Sequence, residues 1–216
     1  MTAVRKVLIE ITSDTICPWC YVGKRRLEAA IARAPKTLEF DIVYKPFFLN
    51  PSLPAEGTNK LEMYESKFGK ERVAKMLETM KHVGNEVGIK FDYGGLTANT
   101  MDSHRLLEYA KQHNKQLPLV EKLFSAYFEQ TKNIGDRDVL ASVAAEVGFD
   151  KAEVLAYLNS DEGDGTHEVL EQVESAQRRR ITGVPFFRIN RTYDIGGAQE
   201  PETFVEIFEK IASDSA

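Results

Sequence analysis

Two cysteines, the only two in 216 residues, lie three positions apart in Ser13-Asp14-Thr15-Ile16-Cys17-Pro18-Trp19-Cys20-Tyr21-Val22-Gly23-Lys24-Arg25. This spacing fits a dithiol that opens and closes a disulfide. The attacking species in that chemistry is a thiolate. Cys17 stands where a strand-like run ends and a helical pattern begins. Free backbone N–H groups and the helix dipole favour negative charge there. Lys24, Arg25 and Arg26 follow within two turns and are candidates for added positive potential. Cys20 falls on the same side of the first turn, within reach of Cys17. The expected cycle has Cys17, the more exposed thiol, form a mixed disulfide that Cys20 resolves. Burial is expected to raise the Cys20 pKa and make it the second-acting thiol.

Two other uses of the pair fit less well. A structural zinc site needs four ligands. No third cysteine exists, and His82, His104, His113 and His167 show no paired spacing, so no metal site is expected. A structural disulfide across so small a loop would restrict the unfolded chain little.

The pair needs a scaffold, and the rest of the chain reads as one. Val7 to Ser13 is β-branched and apolar, as a buried strand should be. Pro18 suits the first helical position, and apolar residues then recur at helical spacing until Pro35. Leu38 to Phe47 reads as a second strand, parallel to the first through the intervening helix. From about Lys60 to about Arg180 helical periodicity is nearly continuous, with Pro118 near the start of one helix and Asp136 and Asp150 as N-caps. Strand character returns at Val184–Asn190 and Thr192–Ile195, with Asn190-Arg191 as the hairpin turn. Pro201 opens a last amphipathic helix. Sheet elements at both ends with helices between predict an α/β fold interrupted by an all-helical insertion. The parts are residues 1–57, 58–166 and 167–216.

Hydrophobic residues make up 43% and net charge is −5, enough for a sizeable core and no sign of a nucleic-acid partner. No stretch of about 20 apolar residues offers a membrane span. The N-terminal apolar run, broken by Glu10, is too short for a signal-peptide core. A cytoplasmic location is the expectation.

Ile181-Thr182-Gly183-Val184-Pro185-Phe186-Phe187 is the second diagnostic stretch. A proline just before a β-run sits either at an ordinary strand start or in a cis turn. The residues alone leave both open. A cis turn would present the Val184 backbone as an edge on which an extended substrate segment could pair.

Together, C-P-W-C at a strand–helix junction and T-G-V-P-F-F before the last hairpin resemble the thioredoxin superfamily. The chain is most similar to its DsbA-like branch with a helical insertion, and within it to the FrnE-like oxidoreductases. Lys45-Pro46-Phe47-Phe48-Leu49-Asn50-Pro51, Asn99-Thr100-Met101-Asp102-Ser103-His104-Arg105-Leu106, Leu123-Phe124-Ser125-Ala126-Tyr127-Phe128 and Gly197-Ala198-Gln199 carry the narrower likeness. The resemblance implies a thioredoxin-like fold split by a helical domain, with Cys17 as nucleophile and Cys20 as resolving thiol. It implies Pro185 as the cis-proline opposite them, and thiol–disulfide oxidoreductase or isomerase activity. Pro18, Trp19, Val184 and Pro185 become the expected substrate contacts, and protein or small-molecule thiols and disulfides the expected partners.

The same branch is similar to kappa-class glutathione transferases and 2-hydroxychromene-2-carboxylate isomerases. That likeness makes glutathione a candidate co-substrate, with no tightly bound cofactor. Its candidate contacts are Asn50, His104 and the turn Gly196-Gly197-Ala198-Gln199, whose free N–H groups would take a carboxylate. Three functional readings follow: a thiol–disulfide oxidoreductase, a glutathione-dependent isomerase or transferase, and a redox-switched sensor or chaperone-like binder. The pair between the cysteines is Pro18-Trp19, whereas the periplasmic DsbA proteins carry Pro-His. A tryptophan cannot hold a thiolate as a nearby imidazolium can, so a less oxidising site is expected.

Overall fold

The computed structural model describes residues 4–160 and 163–213. The outer ends of the first and last predicted parts, and residues 161–162 of the insertion, lie outside the described residues. The chain runs β1 (Arg5–Ser13), α1 (Pro18–Arg33), β2 (Leu38–Pro46), β3 (Thr58–Asn59), α2 (Lys60–Phe68), α3 (Lys70–Val87), β4 (Leu96–Thr97), α4 (Met101–Gln112), α5 (Gln116–Phe128), α6 (Arg137–Ala145), α7 (Lys151–Leu158), α8 (Thr166–Arg178), β5 (Phe186–Ile189), β6 (Tyr193–Gly196) and α9 (Pro201–Ser213).

Four strands form one sheet in the order β2-β1-β5-β6. β1 and β2 are parallel from Arg5↔Leu38 to Ser13↔Pro46. β5 runs antiparallel to β1, with Ile11 opposite Phe187, and β6 antiparallel to β5. The fold is thus the expected thioredoxin-like α/β arrangement, interrupted between β2 and β5 by helices.

Val7, Ile9 and Ile11 alternate along β1 and are fully or almost fully buried. Buried Phe204 and Phe208 of α9 face Phe187 and Phe40 of the sheet, with ring centroids 4.9 and 4.6 Å apart. Each such ring contributes roughly 1.5–3 kcal/mol by leaving water. On β2, which is an edge strand, the Gln116 side chain of α5 replaces a neighbouring strand. Its Oε1 accepts from the Tyr44 N–H at 2.9 Å and its Nε2 donates to the Tyr44 carbonyl at 3.1 Å. The insertion is tied to the sheet through that pair, which covers the strand edge at Tyr44.

Several local expectations hold. Asp136 caps α6 by accepting from the Val139 N–H, and Asp150 caps α7 by accepting from the Glu153 N–H, both at 3.0 Å. Asn190 and Arg191 have φ of 48° and 59°, both left-handed, at the centre of a three-residue hairpin loop between the paired Ile189 and Tyr193, which the Thr192 N–H closes on the Ile189 carbonyl at 3.0 Å. Other expectations shift. The run from Val184 joins the ladder only at Phe186, because Pro185 has no N–H to give. α5 starts at Gln116, and Pro118 sits in its first turn, where N–H groups lack intrahelical partners in any case. The two-residue ribbon β3–β4 was not expected: two residues carry no readable alternation.

Candidate active site

β1 delivers Ser13 to the edge of the cleft, and a short turn then reverses into α1. Cys17 is the N-cap residue of α1, with φ −89° and ψ 113°, and Pro18 is the first helical residue. The Cys17 N–H donates to the Asp14 carbonyl at 3.1 Å, and the Cys20 N–H to the Cys17 carbonyl at 3.1 Å. Both cysteines are free thiols on one helical turn.

The second diagnostic stretch meets them here. The Val184–Pro185 peptide is cis. Cys17 Sγ lies 3.6 Å from the Val184 carbonyl oxygen, close enough for a weak S–H···O hydrogen bond. Pro185 is buried and Val184 half-buried, while Thr182 and Gly183 are exposed. Gly23 permits the approach. A Cβ there would stand 3.0 Å from both the Pro185 and the Phe187 side chains, so only glycine lets α1 close on this strand without displacement. Two segments 167 residues apart in sequence therefore share one site.

Cys17 is the more exposed thiol, as expected, but only by a little: it is 4% exposed and Cys20 2%, so both are buried. The Val184–Pro185 segment approaches Cys17 from one side, and Tyr64 and Tyr93 of the insertion stand close enough for its charge to act on them. Trp19, at 39%, is the exposed member of the motif. The two thiols differ in environment more than in exposure. Burial, then the hydrogen bond and charge of Cys17, push the Cys20 thiol well above its ordinary value, against the opposing effect of the Ser13 hydroxyl and the Asp14 N–H.

That shift has a measurable sign. Above about pH 9.0, the ordinary thiol value, the unfolded chain loses the Cys20 proton while the folded chain keeps it. The folded state then holds more protons, so its stability falls as pH rises. Denaturation of the fully reduced protein is expected to show a steeper loss of stability above pH 9.0 than denaturation of reduced Cys20→Ser. Parallel pH profiles would contradict the assignment.

The basic residues after the motif do not face the sulfur as free charges. Lys24 Nζ bonds Glu28 at 2.5 Å and Glu121 at 2.6 Å. Arg25 pairs with Glu121 and Glu28, and Arg26 binds the Ala198 carbonyl and Glu200 at 2.6 Å each. Burial alone would push the Glu121 carboxyl up; Lys24 and Arg25 outweigh it and hold the group below its ordinary value. These cations fasten α1 to α5 and to the turn before α9.

The remaining candidates separate. Val184 and Gly197 line one cleft of about 360 Å³, together with Arg180, Thr182 and Phe186. The turn offers fewer free donors than expected. The Gly197 N–H is bound to the Pro185 carbonyl at 2.8 Å and the Gln199 N–H to the Gly197 carbonyl at 3.0 Å, and the Ala198 carbonyl accepts from Arg26. Asn50 is occupied in its own turn, its Oδ1 accepting from the Ser52 hydroxyl at 2.8 Å. His104 is not at a cleft surface; it is 3% exposed, with Nε2 3.1 Å from the Phe47 carbonyl and 3.4 Å from Asp14 Oδ1.

Sequence reasoning missed Asp14, Tyr64 and Tyr93. Asp14 is completely buried, and its Oδ2 accepts from the Leu49 N–H at 2.8 Å. The available signal was a charged residue at the end of an apolar strand, three positions before the first cysteine. Burial, with the charges of Cys17 and Asp14 nearby, pushes Tyr64 up to about 12. Nothing in the spacing of the α2 residues announces that contact.

Comparison with known proteins agrees with this architecture. The family model described as a DSBA-like thioredoxin domain matches residues 8–209. The Bacillus subtilis protein YwbO, itself uncharacterized, is 28% identical over 216 residues, 96% of each chain. The crystal structure of a probable DsbA oxidoreductase from Streptomyces coelicolor is 29% identical and superposes with a TM-score of 0.89 over 97% of this chain and 92% of that one. The cytosolic disulfide reductase DsbM from Pseudomonas aeruginosa, solved with GSH, is 14% identical with a TM-score of 0.64 over 95% and 98% of the two chains, a likeness of fold alone. The chain belongs to the family of DSBA-like thioredoxin domains.

Proposed function

We propose that this protein is a thiol–disulfide oxidoreductase that works through a mixed disulfide at Cys17. The carrying observation is the Cys17 sulfur at the N-terminus of α1, 3.6 Å from the Val184 carbonyl, with Cys20 one turn behind it. In the reductive direction the Cys17 thiolate attacks a substrate disulfide. One substrate sulfur leaves as a thiolate and the other stays bound to Cys17. Cys20 then attacks Cys17, the second substrate sulfur departs, and the Cys17–Cys20 disulfide remains. The oxidative direction runs the same bonds backwards.

Substrate placement follows from the Val184 segment. The Val184 N–H has no backbone acceptor among the described residues, and its carbonyl faces Cys17. An extended peptide stretch flanking the substrate sulfur pairs with this edge. Trp19, exposed between the two cysteines, supplies apolar surface. Partners are protein or small-molecule thiols and disulfides, and no cofactor is held tightly. The cleft beside Val184 and Gly197 supports glutathione as the co-substrate that recycles the pair. The working location is the cytoplasm; among the described residues no helix is long and apolar enough to cross a membrane.

Catalysed reduction of insulin, or refolding of scrambled ribonuclease, in a glutathione buffer tests this reading. Turnover by the wild-type chain is the expected result, and the absence of both activities overturns it. With Trp19 in place of a histidine between the cysteines, the potential is expected to lie well below the roughly −120 mV of a strongly oxidising DsbA.

A further inference from the structure

The cleft of about 360 Å³ beside the Val184 edge is lined by one charge that the exchange cycle does not use, Arg180. Its backbone closes α8. The Arg180 N–H donates to the Gln177 carbonyl at 2.8 Å and the Ile181 N–H to the Ala176 carbonyl at 3.0 Å, the paired bonds of a Schellman ending. This ending holds Arg180 at φ 58°, where glycine is the usual residue because a Cβ is strained there. Asn114, Thr131, Asn190 and Arg191 also have positive φ, but of these five described residues Arg180 alone lines the cleft. Glycine would end the helix at lower cost, so what the position gains from arginine is its side chain.

The charge is unmatched. Arg180 is exposed and makes no ion pair among the described residues, whereas Arg178 pairs with Glu174 at 3.3 Å, Arg188 with Asp194 at 3.5 Å and Arg26 with Glu200 at 2.6 Å. Among the described residues no acidic side chain lines the cleft. The chain as a whole carries −5, which repels anions, and this guanidinium is a local exception beside the reactive sulfur. Near it the Thr182, Gly183 and Val184 N–H groups have no backbone acceptor among the described residues. At the other end of the cleft the Gly197 turn, the expected seat of a carboxylate, spends two of its N–H groups on the Pro185 and Gly197 carbonyls.

We propose that Arg180 is a specificity-determining residue that selects thiol and disulfide substrates carrying a carboxylate close to the reacting sulfur. Cys17 Sγ lies 3.6 Å from the Val184 carbonyl, and Arg180 and Val184 line the same cleft. A substrate segment laid on the Val184 edge with its sulfur at Cys17 therefore brings its flanking groups to the guanidinium. The planar fork takes a carboxylate through two parallel N–H···O bonds, a geometry that a lysine could not offer. The inference rests on the oxidoreductase reading and names the substrate class of that same site. Arg180 takes no part in the bonds made and broken among the sulfurs. Glutathione carries the required chemistry in the carboxylate next to its cysteine, and so does a peptide with Asp or Glu beside its cysteine.

Oxidation of the reduced protein by dithiodiglycolate, which is anionic, and by hydroxyethyl disulfide, which is neutral, reads this selection. Each rate is divided by that of the same disulfide with dithiothreitol, and the anionic-to-neutral ratio is compared between variants, so a general loss of activity cancels. The wild type is expected to favour the anionic disulfide, and added salt should erode the preference. In Arg180→Gln the ratio is expected to fall about 5- to 10-fold, the worth of one partly exposed charge-assisted contact. It should fall further in Arg180→Glu. Arg180→Gly, whose backbone suits the left-handed position, should show the same loss as Arg180→Gln and keeps the test independent of any folding defect. Glutathione disulfide, and peptide disulfides with Glu or Gln beside the cysteine, identify the source: the substrate whose rate falls together with that of dithiodiglycolate is the kind selected. No preference in the wild type, or an unchanged ratio in Arg180→Gln and Arg180→Gly, overturns the proposal while leaving the oxidoreductase reading in place. A wild type that reacts with none of these disulfides sinks that reading and the inference with it.

Discussion

Replacing Cys17 with serine is expected to lower disulfide exchange by on the order of 10³-fold or more, because the attacking atom is removed and nothing nearby replaces it. A hydroxyl is far harder to ionise than a thiol. No basic side chain stands ready to assist it, since Lys24, Arg25 and Arg26 are committed to Glu28, Glu121 and Glu200. Cys20 cannot substitute, because burial holds it protonated. The variant should still fold. Serine fits the same volume and can donate to the Val184 carbonyl that Cys17 now approaches. Insulin reduction with a thermal melt on the same sample checks both halves. Activity within tenfold of wild type would remove Cys17 from its role.

Arg105→Ala is expected to be the most damaging single change to stability, costing about 3–5 kcal/mol. Arg105 is 3% exposed and its guanidinium joins α4 to α7 and to the turn before α8. Nε donates to the Asp164 carbonyl at 2.6 Å, Nη1 to Asp102 at 2.6 Å and to the Leu158 carbonyl at 3.1 Å, and Nη2 to the Tyr157 carbonyl at 3.2 Å. Truncation leaves the Asp164 and Leu158 carbonyls and one Asp102 carboxylate oxygen without these donors, plus the volume of the side chain; the Tyr157 carbonyl keeps the Ser160 hydroxyl at 3.0 Å. Unsatisfied buried acceptors each cost about 1–3 kcal/mol, softened where water can enter. For a chain of this size the melting temperature should fall by about 10 °C or more. Lysine should rescue only part, because a point charge cannot reproduce the planar fork. A loss under about 1 kcal/mol in chemical denaturation would show that the carbonyls find other partners.

The two halves of the site were unequally legible in the sequence. Cys17 and Cys20 declare themselves through type, spacing and a strand–helix junction, all local. The sheet strands were readable because β1 carries a mostly apolar, β-branched run and β2 alternates apolar and polar residues before turning apolar, and the hairpin because Asn190-Arg191 tolerates positive φ. Pro185 was visible as an oddity, but its conformation and its place beside Cys17 depend on residues 167 positions away. Spacing could not show that Gly23 is what lets them meet.

Burial was the weaker inference. Position at the start of a helix argued for a Cys17 more exposed than Cys20, and the order holds only as 4% against 2%. The Val184 segment, which no local pattern ties to that spot, lies against Cys17 and narrows the difference. The same limit applies to the charges. Lys24, Arg25 and Arg26 read as free potential near a sulfur, and only the fold supplies Glu121 from α5 to neutralise them. His104 looked like a cleft residue from its place in a family-like stretch. Packing turned it inward to Phe47 and Asp14.

The central claim is an order of events: Cys17 takes the substrate and Cys20 releases it. Incubating Cys20→Ser and Cys17→Ser separately with glutathione disulfide, then mapping adducts by mass spectrometry of the intact and digested protein, tests that order directly. A glutathione adduct on Cys17 of Cys20→Ser, stable because no resolving thiol remains, with none on Cys20 of Cys17→Ser, is the predicted result. An adduct on Cys20, or none on Cys17, would contradict the account.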